Sequence, residues 1–283
     1  MRRPVEIMQE RDSMLTIKEL TSAFEGIASM RIAQIKNQVE SSEKFFAELW
    51  QIYSQIRVDA LFHFGRSKSD VVVVPKELMI LVTSGGSFSG DIDQRLIKEA
   101  RAHYDPAKND IIVIGHHGNV LLTQYGVPFV KSYKMPERDR NINVRPLAAE
   151  VKKYSSTVVF YESYESLSTQ KIKSMPLSAA VAEKGRSVTK SEDIINEDTY
   201  IFEPSTHDVI EHLERTMVQI TLSEVILESK LAQYASRFKA MTSAETKAEE
   251  SYSELNTAYN RAKRHIKDER LKEVMNGLRS VNV

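Results

Sequence analysis

Between residues 205 and 276 the chain has no Gly and no Pro, and its apolar residues recur at alternating steps of three and four. Leu227, Leu231, Tyr234, Phe238, Met241, Ala248, Tyr252, Leu255, Tyr259, Ala262 and Ile266 keep that rhythm, which breaks at Glu245. Such spacing puts the apolar residues on one narrow face of a helix. Pro204 and Gly277 bracket the run as start and stop signals. The expected helix is roughly 105 Å long at a rise of ~1.5 Å per residue. A helix of that length with so narrow a seam needs a partner.

A second seam supplies one. Between Pro4 and Gly65 the helix-weakening residue is Gly26. Apolar or small residues recur there at Met14, Ile17, Thr21, Phe24, Ala28, Ile32, Ile35, Val39, Ser42, Phe46, Leu49, Tyr53 and Ile56. The mean period is heptad-like, which favours a left-handed coiled coil. With the two helices at opposite ends of the chain, an antiparallel pair is the simplest geometry. The alternative is that each helix packs separately on a globular core. A helix over residues 12–57 would be about 25 residues shorter than its partner, leaving roughly 35–40 Å of the long helix projecting alone from about Glu254. Leu255, Tyr259, Ile266, Leu271, Val274, Met275 and Leu278 would lie on that end, and a bare apolar tip in water is an interaction site or an aggregation liability.

The middle third changes period. Residues 71–74 and 78–83 are short β-branched apolar runs that end in Ser84-Gly85-Gly86. A helix is expected over 91–103, a strand over 110–114, a short helix over 118–125 and a short strand over 127–131. A helix over 143–154 and strands over 157–161, 171–176 and 199–202 follow, with an exposed connection over 178–198. Strands alternating with helices indicate an α/β layer domain. The fold class is thus α/β: a long antiparallel two-helix coiled coil plus a central Rossmann-like α/β domain. The expected boundaries are 1–58, 59–204 and 205–283, the last including the tip.

Composition narrows the chemistry. The 39 basic and 39 acidic side chains cancel, so no overall field points to nucleic acid or a membrane surface. The absence of Cys removes disulfides, thiol nucleophiles and Cys-bound zinc. Neither a secretory signal nor a transit peptide is evident, and no apolar run approaches the ~20 residues that span a bilayer. The loop 83–90 stands where an α/β domain could cradle phosphate, but its glycines fit neither G-x-G-x-x-G nor a Walker loop. His116 and His117 are adjacent in an expected loop, and His207 and His212 are five apart, so neither pair suits a shared metal. No cofactor, metal or catalytic residue is assigned. Arg261, Lys263, Arg264, His265, Lys267, Arg270 and Lys272 form a basic cluster near the tip, which is either a solvated face or a contact for an acidic partner.

Several segments resemble the gamma subunit of the F-type ATP synthase, its central rotor shaft. Residues 20–31, LTSAFEGIASMR, resemble the family's I-T-K-A-M-E-M-V-A-A-A-K, with Phe24 at a methionine position and Arg31 at a lysine position. Residues 83–90 stand where the family has T-S-D-R-G-L-C-G, and 114–118 resemble I-G-x-K-G without its lysine. Residues 200–205, YIFEPS, are close to Y-x-F-E-P-S. Leu227-Glu228-Ser229 and the run Arg237 to Met241 match L-E-S and R-M-x-A-M. Residues 259–274 align without gaps to Y-N-K-A-R-Q-x-x-I-T-Q-E-L-T-E-I, with Lys263-Arg264 and Lys267-Asp268 departing.

The resemblance implies a noncatalytic rotor subunit of a rotary ATP synthase, with alpha and beta subunits, an epsilon subunit and a membrane c-ring as partners. It also implies a peripheral position on the cytoplasmic face of the cell membrane. Phe24, Arg31, Arg237, Met241, Tyr259, Arg261, Lys263, Arg264, Ile266, Leu271, Val274, Met275 and Leu278 would face the alpha/beta ring. A coiled-coil scaffold of another complex and a small phosphate- or nucleotide-binding enzyme using the 84–90 loop are the alternatives.

Overall fold

The computed structural model describes residues 3–55, 74–86, 88–140, 142–177, 203 and 205–281. The strand expected over 199–202, the connection over 178–198, residues 71–73 and the side chain of Leu278 lie outside the described residues.

Helix α1 (Pro4–Gln55) begins well before residue 12. Proline suits a first helical position because the N–H it lacks has no partner inside the helix. Ile7, one heptad ahead of Met14, is only 5% exposed, so the seam starts a heptad earlier than the reading from Met14. Ile7, Thr21, Ala28 and Ile35 are all buried and fall on multiples of seven, the repeat of a two-helix seam.

Helix α5 (Thr206–Val281) is capped by Ser205, whose hydroxyl accepts from the Asp208 N–H at 3.2 Å and donates to the Asp208 carboxylate at 2.6 Å. The helix runs through Gly277 instead of stopping there. A glycine costs about 1 kcal/mol inside a helix, too little to end one with no proline behind it.

In sequence, a five-stranded sheet of order β3-β2-β1-β4-β5 lies between the two helices. Its strands are β1 (Val74–Val82), β2 (Asn109–Ile114), β3 (Lys131–Tyr133), β4 (Tyr154–Tyr164) and β5 (Gln170–Pro176). β1 is parallel to β2 and to β4, β2 is parallel to β3, and β5 is antiparallel to β4. Helices α2 (Ile92–His103), α3 (His116–Gln124) and α4 (Arg145–Val151) make the crossovers.

Alternate strand residues feed two cores, as the pleat requires. Met79, Leu81, Ile111, Val113 and Phe160 pack with Leu96, Ile97, Leu121 and Leu122 of α2 and α3. Leu78, Ile80, Val82, Ile112, Ile114 and Val159 pack with Leu147 of α4 and with Leu222, Val225 and Ile226 of α5. The strands are therefore covered on both faces, which accounts for their unbroken apolar runs.

Three expectations shift. The strand expected over 127–131 lies at Lys131–Tyr133 instead. Val127 and Phe129 pack as loop residues on the α2/α3 core, and Pro128 has no N–H to give a ladder. The two histidines expected in a loop open α3. The helix expected to reach Tyr154 ends at Val151, and Tyr154 starts β4.

Contacts divide the chain into two units, Met1–Ala28 with Phe238–Val283, and Ser29–Arg237. In the second unit α1 and α5 run antiparallel: Ile35 packs with Leu227 and Leu231, Phe46 with Met217, and the Tyr53 hydroxyl reaches Glu214 at 3.3 Å. In the first unit the Arg11 guanidinium lies 5.2 Å from the Tyr259 ring centre, and Lys18 pairs with Glu249. Within each unit the α5 partner number falls as the α1 number rises, so the helices pair with each other as the seams imply.

Candidate interaction surface

In the first unit the seam is filled by small residues and few large ones. Thr21, Ala28, Met241 and Ala248 are buried, and the Thr21 hydroxyl returns to the Ile17 carbonyl at 2.9 Å, so its polarity is satisfied within α1. Glu245, the break in the apolar rhythm, faces Glu25, whose carboxyl is pushed above the ordinary range by burial and then by Glu245 itself.

Outside that seam α1 carries a second apolar line. Ile17, Leu20, Phe24 and Ile27 are 42%, 54%, 38% and 45% exposed, at helical steps of three and four. The seam expected from the sequence included Ile17 and Phe24, but both lie outside it, because the buried residues fall on the multiples of seven; Leu20 and Ile27 were missed, and their signal was this displaced spacing.

The projecting end is shorter than the seams suggest. α1 reaches far enough for Arg11 to meet Tyr259, so protection continues to Ala262 and not merely to Glu254. Every residue from 263 to 277 is exposed. The lone segment out to Val281 is roughly 28 Å long at ~1.5 Å per residue. Ile266, Leu271, Val274 and Met275 stand on it, and Arg261, Lys263 and Arg264 are exposed where it begins.

The remaining residues assigned by resemblance already have partners within the chain. Met241 is buried at 6%. The Tyr259 ring lies under Arg11 and is also 5.7 Å from the Lys263 ammonium. In the second unit Arg31 pairs with Asp139 at 3.4 Å, and Arg237 lies over the Tyr234 ring at 5.0 Å. The exposed apolar side chains open to another molecule are Ile17, Leu20 and Ile27 on α1, beside Phe24, and those of the tip beyond Ala262.

The 84–90 loop has a different occupant. It sits at the carboxyl end of β1, where the chain goes first to β2 and later to β4 on the other side, the usual ligand crevice of such sheets. Here Asp93 takes the donors a phosphate would need. Its carboxylate accepts from the Ser84 N–H at 2.8 Å, from the Ser84 hydroxyl at 2.6 Å and from His117 Nδ1 at 2.7 Å.

Helix α5 closes the same crevice. The Ser236 hydroxyl donates to the Ser89 carbonyl at 2.6 Å, and the Ser229 hydroxyl donates to Glu162 at 2.7 Å. Gly115 makes the approach of α3 possible. Its φ is +104°, and a Cβ there would sit 2.1 Å from the Thr83 carbonyl oxygen. The crevice holds the chain's own carboxylates and helix, and the Ser84 N–H, the Ser84 hydroxyl and His117, donors that a phosphate would need, are already taken by Asp93. Sequence reading missed the Asp93–Glu162 cluster, whose signal was a lone acid at the end of the apolar run of β4.

Among the described residues no helix is long and apolar enough to cross a membrane. A family model described as ATP synthase matches residues 5–281. The ATP synthase gamma chain of Cytophaga hutchinsonii is 21% identical over 295 residues, covering 98% of each chain. That of Chlorobium phaeobacteroides is 25% identical over 292 residues, covering 96% of each. Among solved structures, a chain of the Euglena gracilis mitochondrial ATP synthase OSCP/F1/c-ring assembly in rotational state 3 matches with a TM-score of 0.63 at 12% identity. That match covers 98% of this chain and 94% of the other.

Proposed function

The chain belongs to the ATP synthase family, and we propose that its paired helices are the shaft by which a gamma subunit works inside the ring of alpha and beta subunits. It is a noncatalytic central-stalk subunit, and catalysis lies in the beta subunits. The observation that carries the shaft reading is the lone end of α5, exposed at every residue from 263 to 277 and studded with large apolar side chains. Large apolar side chains left bare on a helix end mark a surface for another molecule.

A shaft of two unequal helices has no rotational symmetry. As it turns, the α1 line around Phe24 and the basic group Arg261, Lys263 and Arg264 pass each ring interface in succession. A contact that favours one conformation of a catalytic subunit shifts that subunit's equilibrium while its neighbours stay in others. Arg261 and Arg264 engage acidic segments of the beta subunits. Ile266, Leu271, Val274, Met275 and Leu278 turn against the apolar lining, where contacts are made and lost at low cost. Met241 is buried and shapes this surface from within, while Arg31, Arg237 and Tyr259 hold partners in the chain and stay partly exposed beside it.

The α/β domain sits at the base of the shaft with the epsilon subunit and the c-ring, and couples rotation to ion flow. On this reading the protein works peripherally, at the cytoplasmic face of the cell membrane. The test is reconstitution of the chain with alpha and beta subunits. Co-assembly and ATPase turnover that depend on this chain support the reading; a ring that assembles and turns over equally without it would refute it. Calorimetry of the chain with ATP, NAD and sugar phosphates should show no tight binding, and micromolar binding would favour the enzyme alternative.

A further inference from the structure

Two carboxyl side chains, Asp93 of α2 and Glu162 of β4, meet at the carboxyl end of the sheet's strands under α5, and both are completely buried. Asp93 has the donor set of an anion: one backbone N–H, the Ser84 hydroxyl and His117. Glu162 has the set of a neutral acid. One oxygen, Oε2, accepts from Gln233 Nε2 and the Ser229 hydroxyl, each at 2.7 Å. Among the described residues no donor faces its other oxygen, Oε1. The two acids converge at the carboxyl end of β1: Asp93 holds Ser84, and Ser229, which holds Glu162, also reaches the Val82 carbonyl at 3.5 Å. Two bare carboxylates cannot converge in this way away from water, but an acid and a carboxylate can.

We propose that one proton held between Glu162 and Asp93 is the latch that fastens the sheet to helix α5, making this joint sensitive to pH. With the proton in place the orphaned Glu162 Oε1 gains a partner, and a continuous chain of bonds runs from His117 through Asp93 and Glu162 to Ser229 and Gln233. Without it, two negative charges are buried together, and Glu162 can relax only by leaving the α5 side chains it anchors. Burial, followed by the charge of Asp93, pushes the Glu162 carboxyl well above its ordinary range. Among the described residues, the titratable or charged groups facing the pair are the two acids and His117 of α3; α5 presents the uncharged Ser229 and Gln233, and β5 sets Ile172 opposite Glu162. This inference does not depend on the stalk reading.

Because Glu162 keeps its proton in the folded chain where the unfolded chain has lost it, the folded state binds more protons. Stability therefore falls as pH rises above the usual glutamate value of ~4.3, and levels off only where Glu162 ionises in the folded chain. Glu162→Gln keeps an N–H for Asp93 and a carbonyl for Ser229 and Gln233, yet binds no proton. Urea unfolding of the full chain between about pH 5.5 and 9, above the ordinary glutamate range, is the test. The unfolding constant of the wild type should rise relative to that of the variant by up to about tenfold per pH unit while Glu162 stays protonated. His117 is present in both proteins, so the ratio isolates Glu162. A ratio that does not change with pH overturns the proposal. If the variant does not fold, carboxyl-carbon NMR of glutamate-labelled wild type decides: one glutamate still protonated at neutral pH supports the latch, and complete ionisation overturns it.

Discussion

Deleting residues 263–283 removes the lone end of α5 and separates the shaft's two roles. In the isolated chain every residue from 263 to 277 is already exposed, so the deletion discards almost no buried surface. Surface changes of this kind usually fall within about 0.5 kcal/mol, so the urea midpoint should stay where it was. Inside a ring the loss is larger. Ile266, Leu271, Val274 and Met275 are 36%, 65%, 62% and 51% exposed, leaving roughly half of each side chain for a partner to cover. Full burial of such a side chain contributes about 1.5–3 kcal/mol, so half burial gives about 1 kcal/mol each and about 4 kcal/mol together. That corresponds to about a thousandfold in the hold on the tip. Unfolding of the truncated chain and ATPase of the reconstituted complex, measured side by side, provide the assay. The expected result is an unchanged midpoint with turnover or assembly reduced at least about tenfold. A truncated chain that assembles and turns over normally would refute the reasoning. So would one destabilised by several kcal/mol, because the tip would then be packed on its own chain.

Ile35 is fully buried against Leu227 and Leu231, so Ile35→Ala should cost about 2–5 kcal/mol in urea unfolding, whereas Phe45→Ala at a half-exposed site should cost far less. Equal costs would mean that the helix seam is not a packed core. Gly115→Ala forces a side chain into a glycine-only backbone conformation and against the Thr83 carbonyl, for a loss of about 2–5 kcal/mol. Gly126→Ala at φ +65°, with open space around it, should lose only about 1 kcal/mol, and similar losses at the two sites would contradict the geometry.

Where a pattern is local the sequence displays it. The seams of α1 and α5 and the buried strands around Met79, Ile112 and Val159 follow from periodicity and β-branching. Propensity fails where packing overrides it: Val127 and Phe129 read as strand but serve the α2/α3 core from a loop, and Gly277 reads as a stop but is tolerated within α5. The start of α1 was hidden because Ile7 is a single seam residue among charges, informative only once Met14 is known to be its heptad neighbour. At the interaction surface, matching residue types cannot tell an outward side chain from an inward one. Met241 and Tyr259 face into the pair, and Phe24 faces out among Ile17, Leu20 and Ile27. Asp93 and Glu162 are far apart in sequence and meet only through the sheet order, so no local signal could pair them.

A rotor shaft must turn. The sequence contains no Cys, so Leu167→Cys, at an exposed position between β4 and β5, gives one attachment point for an optical probe. With the alpha/beta ring fixed to a surface and ATP supplied, single-molecule imaging should show the probe rotating in one direction, in steps that stop when ATP is withdrawn. A complex that hydrolyses ATP while the probe stays stationary would contradict the account.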